Sequence, residues 1–150
     1  MKKFLFILIF LTSSCGYQPI YINNNLQNFE FNKITTEGEK DINKKIVNSI
    51  SLKENNLNNL LNELYVKSSF QVDETSKNKK GQVKTYRSSI SVNLSINKDG
   101  KVIKNKNFFG EFAYNTKDNK FELVEHQADI KEDLINQVIE SIILYLNLQW

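Results

Sequence analysis

Cysteine, proline, histidine and tryptophan each occur only once in this chain of 150 residues. A single cysteine cannot form an internal disulfide, so an apolar core must hold the folded part together. One histidine and one cysteine do not supply the clustered ligands that a zinc site requires. The sequence therefore predicts neither a resident metal ion nor a disulfide framework.

The chain also lacks the motifs of common catalytic and nucleotide-binding sites. It has no G-x-S-x-G elbow and no glycine-rich phosphate loop, and its carboxylates are scattered at ordinary spacing. The histidine, His126, stands beside Glu125 in a predicted helix, where an ordinary surface or edge position is favoured over a catalytic one. We expect a protein that is not an enzyme and has no cofactor.

The net charge of +3 is small, and Lys2 and Lys3 at the N-terminus contribute part of it. Nucleic-acid-binding domains are usually strongly basic, with lysine and arginine clustered on one face. The charge balance therefore gives no support for a nucleic-acid partner.

Long hydrophobic runs are missing as well. The longest, Phe4 to Leu11, would form about 12 Å of helix, whereas a bilayer core is about 30 Å thick. Lys2 and Lys3 precede the run and small residues follow it, which is the layout of a secretory signal peptide. A core helix is the alternative, but the run has no polar residues at helical spacing. Residues 1–14 are therefore predicted to be an export signal.

Cys15 directly follows this signal, where cleavage would make it the first mature residue. The arrangement resembles the lipobox of bacterial lipoproteins, in which the cysteine is acylated, although Thr12 replaces the usual Leu, Val or Ile. We predict lipidation of Cys15; the alternative is a free or intermolecularly bonded thiol. Gly16 follows instead of an aspartate, which favours the outer membrane. Residues 15–28, polar and containing Pro19, are predicted to be a lipidated tether.

Hydrophobic periodicity in residues 29–150 predicts a single α+β domain of order βαβββα. Two helices are expected to pack on one face of a four-stranded mixed sheet, as a two-layer sandwich. Residues 54–63 are left open as a helical turn or a loop. The predicted elements are a strand at 29–32, a helix at 39–52, strands at 64–72, 89–96 and 101–114, and a helix at 120–148.

The sequence NKDG at residues 97–100 predicts the turn of a β-hairpin. A two-residue loop at Asp99 and Gly100 would set Ile90 opposite Phe109 and put the apolar rows of the two strands on opposite faces. A three-residue loop pairs Ile90 with Phe108 and puts both rows on the same face. The sequence therefore predicts a three-residue loop, with Gly100 in the left-handed conformation.

Two surfaces are candidates for binding. Residues 73–84 are predicted to form a basic loop, and anionic phosphate groups are its expected ligands; a merely solvated loop is the alternative. The face of the sheet away from the helices is small and uncharged, which suggests a covering partner; a general abundance of asparagine is the alternative. The candidates are Lys77, Lys79, Lys80, Lys84 and Arg87 for phosphate, and Ser91, Asn93, Asn105, Asn107 and Phe109 for the partner.

Three features together resemble the LptE family of lipopolysaccharide-assembly lipoproteins, especially its alphaproteobacterial branch. They are the start CGYQPIY at residues 15–21, the single βαβββα domain, and the long helix that follows FAYN at residues 112–115. The resemblance implies a plug and assembly subunit of the LptD-type outer-membrane β-barrel. It also implies lipopolysaccharide as a ligand and a lipid anchor on the periplasmic side of the outer membrane. A free-standing lipoprotein with a structural or transport-accessory role and a small-molecule-binding module are the alternatives.

Overall fold

The computed structural model describes residues 29–50, 52–55 and 62–149. The predicted signal peptide and tether, with Cys15, lie outside these residues, as does most of the segment 54–63. No helix in the described ranges is long and apolar enough to cross a bilayer. The described elements are β1 (Glu30–Phe31), β2 (Lys33–Gly38), α1 (Lys40–Ser49), β3 (Lys53–Glu54), β4 (Glu63–Lys77), β5 (Val83–Lys98), β6 (Lys101–Asn115) and α2 (Lys120–Gln149).

Four of the strands form one mixed sheet in the order β2-β4-β5-β6. Strands β2 and β4 are parallel, with α1 in the connection between them, and the other neighbours are antiparallel. Strands β1 and β3 form a separate short parallel pair. The α+β prediction with a four-stranded mixed sheet is confirmed.

The core lies between one face of this sheet and the two helices. Along β5, Ile90, Val92, Leu94 and Ile96 are buried, and the residues between them are half-buried or exposed. Complete burial of such a side chain stabilises the fold by about 1.5–3 kcal/mol. The helix residues that complete the core are Ile42, Ile46 and Ile50 near α1, and Ile130, Leu134, Ile135, Val138, Ile139, Ile142 and Leu146 of α2.

The first strand and the first helix differ from their predicted bounds. The strand continues from Lys33 to Gly38, beyond the predicted end at residue 32. Gly38 has φ +91°, and a Cβ there would lie 1.9 Å from the carbonyl oxygen of Ser68. The helix ends at Ser49 instead of residue 52, because the Lys53 amide donates to the Phe29 carbonyl at 3.0 Å and the chain is extended there.

The predicted three-residue turn between β5 and β6 is wrong. Lys98 pairs with Lys101, so the loop consists of Asp99 (φ +51°) and Gly100 (φ +71°). Two positive φ angles are typical of a type I′ turn, whose twist matches that of the flanking strands.

A β-bulge next to this turn explains why the apolar rows still share a face. Asn97 pairs with Val102 but Ile96 pairs with Lys104, which leaves Ile103 as an extra residue in β6. Because Ile103 is left unpaired, the rest of β6 turns its apolar side chains to the same face as those of β5. A regular ladder after the short turn would have turned them to the opposite face. Phe108 therefore lies opposite Val92, on the core face, instead of opposite the predicted Ile90.

The segment predicted as a basic loop is mostly strand. Strands β4 and β5 continue to Lys77 and from Val83, so only residues 78–82 connect them. The hydroxyls of Thr75 and Ser76 lie 2.7 and 2.6 Å from that of Thr85 across the hairpin. Because many residues of this extension are solvent-accessible, the sequence shows no apolar alternation that would reveal it.

Helix α2 begins where the sequence predicted, but two apolar side chains in its first turns do not face the core. Asn119 Oδ1 caps the start of the helix by accepting a hydrogen bond from the Phe121 amide at 2.9 Å. Val124 and Ala128 are exposed although both are apolar. Ala128 lines a solvent-open groove between the two helices, together with Asp41 near the start of α1.

Candidate interaction surfaces

The face of the four-stranded sheet opposite the helices is called the open face here, since no described element covers it. All five predicted partner-contacting residues lie on it. The register places them directly across β5 and β6: Ser91 opposite Phe109, Asn93 opposite Asn107, and Ser95 opposite Asn105. Phe109 is 63% exposed and adds an aromatic ring to this otherwise polar surface.

Four side chains at the centre of the open face form a hydrogen-bonded cluster, the amide network: Asn93, Ser95, Asn105 and Asn107. Asn93 Nδ2 donates to Oδ1 of Asn105 and of Asn107, both at 2.9 Å. Asn105 Nδ2 donates to Ser95 Oγ at 2.8 Å, and Ser95 Oγ donates to Asn93 Oδ1 at 3.0 Å. The network contains no charge and meets much of its own hydrogen-bonding capacity. It would therefore lose water at a lower cost than a face of lysines and glutamates.

Charged residues of the open face form ion pairs at its margins. Lys67 Nζ lies 2.7 Å from Glu37 on the β2 side. Arg87 lies 3.9 Å from Glu111 towards the other end of β5 and β6. Both pairs are largely solvent-exposed, so their contribution to stability is small. An uncharged centre with charges at its rim is typical of protein–protein interfaces.

Three of the predicted phosphate-binding lysines lie together at the β4–β5 connection. They form the basic tip: Lys77, Lys79 and Lys80. Lys77 Nζ contacts Glu74 at 2.9 Å, and this hydrogen bond, together with the negative charge, raises the pKa of Lys77. Lys79 and Lys80 form no ion pair with a carboxylate of the described chain.

The connection that carries the basic tip is ordered by a polar side chain. Asn78 Oδ1 accepts hydrogen bonds from the amides of Lys80 and Gln82, at 2.9 and 3.0 Å. Gly81 has φ +79°, which few other residues adopt. The tip is therefore a defined turn that presents two unpaired lysines to solvent.

The other two predicted phosphate-binding residues lie apart from the tip. Lys84 and Arg87 are both in β5, and Lys84 is the residue skipped by a register shift between β4 and β5. Arg87 belongs to the open face, where it pairs with Glu111. The five basic residues therefore do not form one site.

Within the described residues, no group of three or more His, Cys, Asp or Glu side chains is placed to hold a metal ion. His126 packs edge-on against Tyr114, with ring centroids 5.5 Å apart. Its position is that of a half-buried packing residue. A groove between the two helices is open to solvent and is bridged by an ion pair between Lys45 and Glu132.

Several solved structures share this fold. Rare lipoprotein B from Shewanella oneidensis superposes with a TM-score of 0.61 at 13% identity, covering 79% of this chain and 96% of that chain. A minor lipoprotein from Acinetobacter baumannii gives 0.56 at 12% identity, covering 79% and 94%. Lipoprotein B from Nitrosomonas europaea gives 0.50 at 10% identity, covering 84% and 88%. No family model and no curated protein match the sequence.

The chain has a bacterial lipoprotein fold. At these identities the likeness concerns the fold, which extends over nearly the whole length of each relative. All three of these proteins are described as lipoproteins.

Proposed function

We propose that this protein is an outer-membrane lipoprotein that acts as plug and assembly subunit of an LptD-type β-barrel in lipopolysaccharide transport. Two lines support the assignment. The mature start CGYQPIY resembles that of LptE proteins, and the described domain shares its fold with rare lipoprotein B over 96% of that chain. Acylated Cys15 would hold the chain on the periplasmic side of the membrane.

The observation that carries the plug role is the chemistry of the open face. A subunit enclosed by a barrel loses water from much of its surface, and an unpaired charge buried there costs several kcal/mol. The amide network places no charge at the centre of the face, and Phe109 adds an exposed aromatic ring beside it. Exposed aromatic residues commonly provide a large share of interface energy.

The basic tip fits the lipopolysaccharide part of the proposal. Strand β4 has 15 residues, so it extends over about 50 Å. The tip therefore lies far from the start of β2, where the chain arrives from the tether. In this orientation Lys79 and Lys80 point away from the anchor and would meet the phosphate groups of lipopolysaccharide within the barrel.

A pull-down with a matched pair of β6 variants tests the plug role. Phe109→Asp and Phe112→Asp each remove a ring that is more than half exposed. Residue 109 lies on the open face and residue 112 on the helix side. We expect Phe109→Asp to lower detergent-solubilised barrel recovery by about tenfold or more, while Phe112→Asp retains most of it.

Equal recovery with both variants would contradict the open face as the docking surface. Failure of the unmodified protein to capture any barrel, together with stability on its own, would favour the free-standing lipoprotein instead.

A further inference from the structure

One end of the sheet combines positive charge with exposed apolar side chains. It is formed by the β5–β6 hairpin, residues 97–106, and is called the hairpin end here. This segment contains four lysines and a single aspartate, Asp99. Three of the lysines form no ion pair with a described carboxylate: Lys98, Lys101 and Lys106.

Two apolar residues are exposed between these lysines. Val102 is 60% and Ile103 is 49% exposed, although they are adjacent in a strand. In a regular strand one of two neighbours faces the core, but the register shift between Ile96 and Asn97 removes this requirement. The bulge therefore presents a pair of β-branched apolar side chains to solvent at the hairpin end.

The last turns of α2 add to the same end of the molecule. Tyr145 packs against Phe108, whereas His126 packs against Tyr114, so α2 runs back along β6 towards the hairpin. Leu144 and Leu148 are 56% and 74% exposed and lie four residues apart, on one face of the helix. The C-terminal turns of α2 thus carry two exposed apolar residues and run towards this end of the molecule.

The chain also enters the domain at this end. Lys33, the first residue of β2, pairs with Glu63, which pairs with Asn97 beside the hairpin turn. Thirteen residues, 16–28, lie between the proposed point of acylation and the start of the described chain. Fully extended, they span at most about 50 Å. An anchor at Cys15 is therefore attached at the same end of the domain as the hairpin.

We propose that the hairpin end is a membrane-contact surface. Lys98, Lys101 and Lys106 bind the headgroups of anionic phospholipids, and Val102 and Ile103 enter the interface between headgroups and acyl chains. The orientation rests on the acylation of Cys15 that belongs to the proposed function. Each lysine held near an anionic membrane surface strengthens binding by about fivefold.

The basic tip differs in a way that supports this assignment. Its lysines lie in the segment KNKKGQ, which has no apolar side chain. The tip can attract phosphate but has nothing to bury in a bilayer. Charge together with apolar residues is the combination that holds a surface at a membrane interface.

Tryptophan fluorescence in the acylated full-length protein tests the proposal. In a Trp150→Phe background, Ile103→Trp reports on the hairpin end and Lys79→Trp on the basic tip. The proteins are reconstituted into vesicles of phosphatidylethanolamine and phosphatidylglycerol that contain brominated acyl chains. We expect bromine to quench the hairpin-end reporter by about twofold or more, and to leave the basic-tip reporter nearly unquenched. Equal quenching of both reporters would overturn the proposal.

Charge reversal separates headgroup recognition from the effect of the anchor. The acyl chains keep the protein on the vesicle, so Lys98→Glu with Lys101→Glu changes only how the hairpin end sits. We expect quenching of the hairpin-end reporter to fall to the level of the basic-tip reporter in this variant, and also in phosphatidylcholine vesicles. Unchanged quenching in either case would overturn the proposal. Barrel capture by the same variant should stay normal, so this test and that of the plug role can fail separately.

Discussion

The two faces of the sheet are organised by different interactions. The helix face is apolar, with Val92, Leu94 and Ile96 almost fully buried beneath the two helices. The open face is polar and partly solvated, and its centre is ordered by side-chain hydrogen bonds among asparagine and serine. The two sets of side chains alternate along the same strand, β5.

This difference separates stability from recognition. Burial of apolar area is the dominant favourable term in folding, so the helix face must carry most of the stability. Exposed hydrogen bonds contribute little net free energy, because water replaces them in the unfolded chain. Stability therefore places little constraint on the residues of the open face, and their composition can be adapted to a binding partner.

Truncating one side chain on each face of β5 should show the largest difference in stability between the two faces. Leu94→Ala should lower the free energy of unfolding by about 2–5 kcal/mol, because it leaves a cavity beneath the helices. Its neighbour Asn93 faces the other way, and Asn93→Ala should cost about 1 kcal/mol or less. Urea unfolding of the two variants measures both values, and equal costs would show that the open face carries stability too.

Gly38 marks where the first strand of the sheet meets the helix layer. Gly38→Ala should cost about 3 kcal/mol, because its Cβ would collide with the Ser68 carbonyl and φ is +91°. Gly81 also has positive φ, +79°, but a Cβ added there would meet no atom within 4 Å. Gly81→Ala should therefore cost only about 1 kcal/mol. Thermal unfolding that ranks the two variants in the reverse order would contradict the close approach at Gly38.

The β5–β6 turn contains a glycine with positive φ, Gly100. Gly100→Val should cost about 1–2 kcal/mol, because a β-branched residue resists φ +71°. Lys98→Val changes a side chain without a required positive φ and should have almost no effect. Chemical denaturation of both variants provides the comparison, and equal midpoints would show that the turn does not depend on Gly100.

A charge placed on the open face should have the smallest effect of all in the isolated protein. Asn107→Lys should change the free energy of unfolding by no more than about 0.5 kcal/mol, since the side chain is exposed. In a barrel complex the same lysine should weaken binding by several kcal/mol. Paired measurements of unfolding and barrel affinity distinguish the two, and a variant that binds normally would mean that this position stays in water.

The sequence predicts the elements whose two sides differ in polarity. The alternation from Leu64 to Val72 and from Ile90 to Ile96 identified strands, and the repeat of isoleucine at 42, 46 and 50 identified α1. The distal ends of β4 and β5, residues 73–77 and 83–88, escaped prediction because many of their residues are solvent-accessible. Pattern alone gives no signal where the two environments are alike.

The hairpin shows the limit of arguments from alternation. A three-residue loop and a two-residue loop followed by a bulge both keep the apolar rows on one face, so the pattern cannot distinguish them. The side of the sheet on which Asn93 and Phe109 lie could therefore be predicted, but the residues opposite them on the neighbouring strand could not. The predicted register puts Asn105 opposite Asn93, whereas the observed one puts Asn107 there, and the amide network depends on that register.

Ile103 can be deleted without changing which side chains face the helices. Asn97 would still pair with Val102, and the next pair, Ile96 with Lys104, would follow directly in a regular ladder. Loss of a residue farther along, such as Glu111, would instead send every later side chain of β6 to the opposite face. The hairpin end can therefore lose one residue at this position during evolution, and every later side chain of β6 would still face the same side of the sheet.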